Sequence, residues 1–167
     1  QPLGPSLKGQ VAGVDRVIRY IPQGGNIRIN DDLFQTGISY ADEGFLDLFT
    51  FPLKAGNKAD FAEMTNIFIS SELAVKYFGQ EDPIGKPLLH LLDSGQRDYV
   101  VAGVFEKMPP NSSFQFDAVT HINNFFQLPK NGDQETSWKV FKTLFLEIKD
   151  PARIPQIEQQ LQAYVAP

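Results

Sequence analysis

The two histidines, His90 and His121, are the side chains of this sequence best suited to proton transfer or metal binding. Neither is followed by a second histidine at helical spacing, the arrangement that places two zinc ligands on one helix face. Ser112, Asp117 and His121 are the side-chain types of a hydrolase triad, but no Gly-x-Ser-x-Gly motif exposes a serine between a strand and a helix. We therefore interpret both histidines as structural.

Three shorter motifs carry polar groups without the neighbours that their chemistry needs. The carboxylate pairs Asp31–Asp32 and Glu81–Asp82 lie among turn-forming residues, which favours turn and cap roles over acid–base catalysis. Gly24–Gly25 lacks the lysine and the following helix of a phosphate-binding loop. Residues 111–113 (NSS) match the Asn-x-Ser/Thr consensus of a glycosylation acceptor, and this match is the only support for such a site. We assign no catalytic, cofactor-binding or metal-binding residue, and we expect no cofactor.

Aromatic residues offer a further candidate site. Fourteen phenylalanines supply most of the aromatic content, and four of them that are close in sequence could line a ligand groove: Phe114, Phe116, Phe125 and Phe126. Large aromatic side chains more often fill a core, so packing is the favoured interpretation.

The composition argues against several classes of function. A net charge of −5 and a pI of about 5.0 leave no basic stripe, so we expect no nucleic-acid partner. The lack of cysteine excludes disulfides, thiol catalysis and thiolate zinc sites. No apolar run approaches the ~20 residues that span a bilayer. Because the sequence opens at Gln1 without methionine and ends at Pro167 after a helical pattern, we interpret it as an excerpt whose flanks could hold membrane segments.

Hydrophobic periodicity predicts more strand than helix. Residues 14–41 are predicted to form a meander with a turn at Gln23-Gly24-Gly25-Asn26. Residues 99–105 are apolar on both faces and are predicted to form a central strand, joined by a hairpin at Asp93-Ser94-Gly95 to the strand before it. The other predicted strands are residues 66–70, 87–92, 114–118 and 138–148.

The predicted helices are short and dispersed. Asp42 is the expected N-cap of a helix through residue 49, and Ser70 or Ser71 is expected to cap residues 72–78, with Gly79 ending that helix. Asp150 is expected to cap the final helix, which begins with a proline. One or two helical turns are predicted at residues 5–10, a single turn at residues 59–64 and a short helix near residues 122–128. Strands outnumber helices and no regular βαβ rhythm occurs, so the expected fold class is α+β.

Four segments resemble a known family in their order along the chain. They are residues 40–53 (YADEGFLDLFTFPL), 67–86 (IFISSELAVKYFGQEDPIGK), 99–105 (YVVAGVF) and 110–117 (PNSSFQFD). Together they are similar to the MacB-like periplasmic core domain of ABC-transporter permeases of the MacB and FtsX types. The resemblance covers about residues 34–119 well and the two ends only by pattern.

The resemblance implies an architecture. It implies a two-lobed domain inserted between the first and second transmembrane helices of a permease. One lobe, of βαβ character, is expected from about residues 1–40 plus 118–167, and a smaller β-rich lobe from about residues 41–117. In this family both ends enter one bilayer, so ends lying more than about 30 Å apart would contradict the interpretation.

The resemblance also implies a function. The expected function is non-catalytic: the domain passes ATP-driven conformational change to a periplasmic substrate or partner in export, efflux or lipoprotein handling. The implied partners are the permease's own transmembrane helices, a cytoplasmic ATPase domain or subunit, a second permease copy and a periplasmic partner. The implied location is the periplasmic side of the bacterial inner membrane.

Two other functions stay open from the sequence. One is a free-standing periplasmic binding or scaffold module, since no membrane segment is present in the sequence. The other is a hydrolase using Asp117 and His121 or a carboxylate pair, which predicts that these groups converge in a deep pocket with perturbed pKa values.

Overall fold

The computed structural model describes residues 3–7, 9–93, 95–128, 131–132 and 143–164. The strands are β1 (Arg16–Ile29), β2 (Asp32–Ala41), β3 (Leu53–Gly56), β4 (Asn66–Ser70), β5 (Pro87–Leu92), β6 (Gly95–Phe105), β7 (Ala118–His121) and β8 (Thr143–Glu147). The α-helices are α1 (Leu3–Leu7), α2 (Phe45–Leu48), α3 (Ser71–Phe78), α4 (Asn123–Phe126) and α5 (Ile154–Leu161). Short 3-10 helices occupy Lys58–Ala62, Pro151–Arg153 and Gln162–Tyr164. The fold is α+β and dominated by its sheet, which confirms the predicted class.

Six of the strands form a closed ring. β1 pairs antiparallel with β2, β2 parallel with β7, and β7 antiparallel with β4. β4 pairs parallel with β6, and β5 joins β6 and β1 through antiparallel pairs that complete the ring. Outside the ring, β3 extends β6 and β8 extends the first half of β1. β6 therefore has three partner strands, which confirms its predicted central position.

Side chains alternate between two faces of this ring. Along β4, Ile67 and Ile69 belong to a cluster inside the ring, whereas Phe68 belongs to a second cluster outside it. The interior cluster draws on all six ring strands, and α3 and α4 contribute to it from the ends of strands. The outer aromatic cluster consists of buried Tyr20, Phe45, Phe51, Phe61, Phe68, Phe105 and Phe116 with partly buried Phe49, Phe114 and Phe145.

The predicted turn at residues 23–26 is wrong, because β1 continues through it for 14 residues. Gly25 lies where a Cβ atom would come within 2.5 Å of His90 Nε2 and 2.8 Å of Ile38 Cδ1. The glycine therefore permits close approach of neighbouring side chains rather than a reversal of the chain. The reversal comes after β1, where Asn30 has a φ of 54°.

The helix signals were mostly correct. Ser70 Oγ accepts a hydrogen bond from the Leu73 N–H at 3.1 Å, and α3 ends at Gly79 with a φ of 63°. The Asp150 carboxylate accepts a hydrogen bond from the Ala152 N–H and begins the 3-10 turn that leads into α5. These signals are local, so they act without the rest of the fold.

Three local predictions need correction. Asp42 does not cap α2, because its carboxylate binds Arg19, and Gly44 occupies the cap position with a φ of 87°. The predicted strand at residues 114–118 is strand only from Ala118, since Phe114 and Phe116 pack into the outer aromatic cluster from an irregular segment. The prediction for residues 138–148 is confirmed for β8, and residues 138–142 lie outside the described part.

Candidate functional site

The structure does not bring the hydrolase candidates together. Ser112 Oγ accepts a hydrogen bond from the Phe114 N–H, and Asp117 accepts one from the Gly37 N–H at 2.8 Å. His121 lies at the other end of β7 from Asp117, which places their Cα atoms roughly 13 Å apart along an extended strand. Asp117 and His121 also line different hollows. No triad geometry exists among these three side chains.

The two histidines occupy different surroundings. His90 lies inside the ring with 4% of its surface exposed, and its Nδ1 has no hydrogen-bond partner within the described residues. Burial, and then the Arg97 guanidinium, lower the pKa of His90 to about 4. His121 Nδ1 accepts a hydrogen bond from the Asn123 N–H, and burial lowers its pKa against the opposing effect of Asp42 and Glu43. Nowhere in the described chain do three or more potential metal ligands gather.

The carboxylate pairs and the phenylalanines act locally. Asp31 lies in the turn after β1 and Asp32 starts β2, and both are exposed. Glu81 forms an ion pair with Lys86, while Asp82 accepts a hydrogen bond from the Ile84 N–H. The four candidate phenylalanines do not share a groove, because two pack inside the ring and two outside it: Phe125 and Phe126, and Phe114 and Phe116. The packing interpretation is confirmed.

Residues from the two ends of the described chain meet in a third cluster. Leu7, Val11 and Ile157 are buried against one another, and we call them the terminal cluster. Partly buried residues in or next to β1 and β8 and in the last helical turns pack around it: Val14, Val17, Leu144, Leu146, Ile148, Leu161 and Tyr164. The segment that follows α1 and the helix α5 are thereby held side by side against β8.

Hydrogen bonds reinforce this junction across about 150 positions of sequence. The Gln160 amide accepts from the Ala12 N–H at 3.1 Å and donates to the Ala12 carbonyl at 3.4 Å. Tyr164 OH donates to Gln10 Oε1 at 2.9 Å. At Gly13, whose φ is 100°, a Cβ atom would lie 2.9 Å from Arg153 Cδ. The junction therefore combines apolar packing with polar contacts from both ends.

A buried ion pair lies next to the terminal cluster. Arg19 on β1 is 9% exposed, and its guanidinium donates to both carboxylate oxygens of Asp42, from Nε at 2.9 Å and from Nη2 at 2.7 Å. The pair borders an open hollow of about 590 Å³ that Gly4, Glu43 and His121 also line. Arg19 is not among the candidate residues predicted from the sequence, although one charged residue on an otherwise apolar strand face is a signal that could have identified it.

β1 connects this end of the molecule to another region. Its first residues pair with β8, and its last residues lead into the turn before β2. At that far end Phe34 packs on Tyr77 of α3 with the ring centres 4.4 Å apart, and the Thr36 hydroxyl hydrogen-bonds to the Tyr77 hydroxyl. A hollow of about 640 Å³ lies here between the β1–β2 turn and the end of α3. Leu33 beside it is 60% exposed.

A sequence model of one protein family, the MacB-like periplasmic core domain, matches residues 2–164. The chain belongs to this family. The resemblance inferred from the four sequence segments is thereby confirmed, and the MacB-like domain is homologous to periplasmic domains of MacB-type ABC transporter permeases. No curated protein sequence matches the chain significantly. Among the described residues of this MacB-like domain, no helix has the length and apolar character needed to cross a bilayer.

Solved structures share the fold of this MacB-like domain. A domain of a candidate permease from Porphyromonas gingivalis superposes with a TM-score of 0.76 at 22% identity, covering 98% of this chain and 70% of that one. The periplasmic region of MacB from Actinobacillus actinomycetemcomitans gives a TM-score of 0.70 at 15% identity, with 96% and 70% covered. The extracellular domain of the ABC-type transporter YknZ from Gram-positive bacteria gives 0.67 at 16% identity, with 96% and 82% covered.

Proposed function

We propose that this MacB-like domain is the non-catalytic, extracytoplasmic part of a bacterial ABC-transporter permease, and that it carries ATP-driven movement to a periplasmic substrate or partner. The movement enters through the terminal cluster, where the two ends of the domain would continue into membrane helices. The proposed partners are those membrane helices, a cytoplasmic ATPase, a second permease copy and a periplasmic partner. The proposed location is the periplasmic side of the inner membrane, with export, efflux or lipoprotein handling as the process served.

The observation that carries the proposal is the joining of the two ends. Leu7 and Val11 pack on Ile157, and Gln160 and Tyr164 bond back to the segment after α1. Two membrane helices that enter a domain at one place can drive it as a unit. A relay needs both ends of the domain to approach the membrane from one side, and the contact between the segments nearest the two ends supports this arrangement.

The fold also supplies a rigid path away from that junction. β1 is 14 residues long, roughly 45 Å of extended chain, and it is paired with β2 over ten residues. It runs from the surroundings of the terminal cluster to the turn that lines a hollow together with the end of α3. A continuous strand fixed in a closed ring transmits displacement with little internal deformation. The division into lobes of about residues 1–40 plus 118–167 and about 41–117 stays a prediction.

The test uses the full-length permease reconstituted with its ATPase. A flexible linker of about ten Gly and Ser residues is inserted on both sides of the domain, which removes mechanical continuity while keeping the chain connected. A fluorescent dye on Leu33→Cys reports movement at the far end. We expect the linkers to reduce the ATP-dependent dye signal at least about tenfold while ATP hydrolysis continues.

The control is the same insertion after Asn111, an exposed residue between β6 and β7, which leaves both ends directly attached. An unchanged dye signal in the linker variant would contradict the proposal. The alternative, a free-standing periplasmic binding or scaffold module, requires that the gene encode no apolar span of roughly 20 residues beside the domain.

A further inference from the structure

The helix α1 rests directly on the side chain of Arg19. Gly4 of α1 is buried, and a Cβ atom there would lie 2.9 Å from Arg19 Cδ, 3.0 Å from its Cγ and 3.4 Å from Leu144 Cδ1. Only glycine lets the backbone of α1 approach the arginine stem this closely. Because no space separates them, a movement of α1 toward the ring must displace the Arg19 side chain.

The charged end of Arg19 is fixed to two other elements. Its guanidinium is held by both oxygens of Asp42, which connects β2 to α2, and the same carboxylate accepts from the Arg19 backbone N–H at 2.8 Å. The guanidinium carbon also lies 5.4 Å from the centre of the Phe126 ring in α4. The planar fork of arginine fits a carboxylate in one orientation, so a shift of the stem changes both contacts.

This contact would change if α1 moved, because an open hollow lies beside the ion pair. With α1 seated, the stem of Arg19 is covered and the pair with Asp42 is largely buried. With α1 raised, water from the hollow of about 590 Å³ would reach the pair and weaken the attraction between the two charges. The two arrangements differ in the free energy of one buried ion pair, so they bias the elements that the pair joins.

We propose that Arg19 is a positioning residue that transmits displacement of α1 to α2 and α4, through the contact of its stem with Gly4 and of its guanidinium with Asp42 and Phe126. The inference rests on the proposed function for the source of the displacement. It adds the route by which movement at the chain end reaches the body of the domain.

The first experiment measures backbone hydrogen exchange in the 167-residue chain carrying Gly4→Ala. The added methyl group must displace Arg19, so the amides of α2 and α4 are expected to exchange about fivefold faster. Those of α3, which contacts neither Arg19 nor Asp42 through any described hydrogen bond, stay within about twofold. Gly24→Ala is the matched control, since a Cβ atom there meets nothing within 4 Å and the backbone is not left-handed.

The second experiment repeats Gly4→Ala in a chain carrying Arg19→Met and Asp42→Asn, which removes both charges of the ion pair. The response of α2 and α4 to Gly4→Ala is then expected to disappear. If this background does not fold, Arg19→Lys replaces it, and the response is expected to fall at least about twofold because an ammonium cannot bind in the bidentate geometry.

Three results would overturn the inference: no response in α2 and α4, an equal response in α3, or a response that persists without the guanidinium. These measurements need neither membrane nor ATP. A failure of the linker experiment together with the predicted exchange pattern would therefore reject the proposed function and leave the internal coupling standing. If instead the linkers reduce the dye signal as expected but the exchange pattern is absent, only the role of Arg19 is rejected.

Discussion

The terminal cluster and the outer aromatic cluster are both apolar, but they are built very differently. Within the described residues, the terminal cluster contains three buried side chains and the outer aromatic cluster seven buried aromatic ones. The first is completed by exposed amide and hydroxyl groups, whereas the second consists of phenylalanine rings whose centres lie 4.6 to 6.2 Å apart. The difference indicates a firm body with a lightly held junction of the chain ends, which is the division that the proposed relay of movement would need.

The largest expected effect comes from removing a ring at the centre of the outer aromatic cluster. Phe45 is fully buried and packs on Tyr20, Phe49, Phe51 and Phe114. We expect Phe45→Ala to lower the free energy of global unfolding by about 3–5 kcal/mol, measured by chemical denaturation. Val75→Ala, at a side chain that is 57% exposed, is the control and should change it by less than about 0.5 kcal/mol. A loss below about 1 kcal/mol for Phe45→Ala would contradict the description of a firm body.

The interior of the ring is expected to respond to pH through His90. Its pKa of about 4 lies below the ordinary value, so the unfolded chain binds more protons between about pH 4 and 6.5. The stability linked to His90 is therefore fully present above pH 6.5 and declines as the pH falls toward 4, by roughly 2–3 kcal/mol at pH 4.5. Arg97 on the facing strand adds to the effect because it also opposes protonation.

The measurement is denaturation at a series of pH values for the wild type and for His90→Gln. The variant is expected to lose most of the decline between pH 6.5 and 4.5, because glutamine does not titrate. His121→Gln serves as a comparison, since burial lowers that pKa as well but Asp42 and Glu43 oppose the shift. If the free energy of unfolding depended on pH equally in the wild type and in His90→Gln, the folded protein would not lower the pKa of His90.

Substitution in the terminal cluster is expected to act locally. Ile157 is 1% exposed between Leu7 and Val11, so Ile157→Ala should cost about 2 kcal/mol in the stability of that junction. We expect the amides of α5 to exchange at least about tenfold faster, while those of β4 and β6 change little. Ile154→Ala on the exposed side of the same helix is the matched control. A uniform increase across the ring would mean that the two regions unfold as one.

Elements whose signals are local could be predicted from the sequence. Features that depend on contacts between distant segments of the chain could not. The Ser70 cap and the Gly79 stop of α3 are readable because all their partners lie within a few residues. The ring was not predicted, because the parallel pairs β2–β7 and β4–β6 join segments that are far apart in the chain. Gly24–Gly25 was read as a turn because the side chain of His90, which requires the glycine, comes from another strand.

The candidate site shows the same limit. The joined ends were expected only from the family resemblance, since nothing in the residues around Gln10 or Gln160 indicates that they hydrogen-bond across the chain. Asp42 has the sequence position of a helix cap, yet Arg19 offers its carboxylate two charge-assisted hydrogen bonds in place of the backbone N–H groups that begin α2. Local preference gave way to a stronger partner contributed by another strand.

The smallest expected effect is a gain of stability inside the firm body. Thr50, after α2, has a φ of 52°, a left-handed conformation that is strained for a β-branched residue. The Phe51 N–H bonds to the Leu46 carbonyl and the Thr50 N–H to the Asp47 carbonyl, the pattern of a helix end that favours glycine at this position. We expect Thr50→Gly to raise the free energy of unfolding by about 1 kcal/mol, and Thr50→Val to leave it unchanged or lower it. Thermal denaturation of the two variants checks this difference. A stabilisation confined to Thr50→Gly would show that the outer aromatic cluster, which places Phe49 and Phe51 on either side of Thr50, is strong enough to hold a strained backbone.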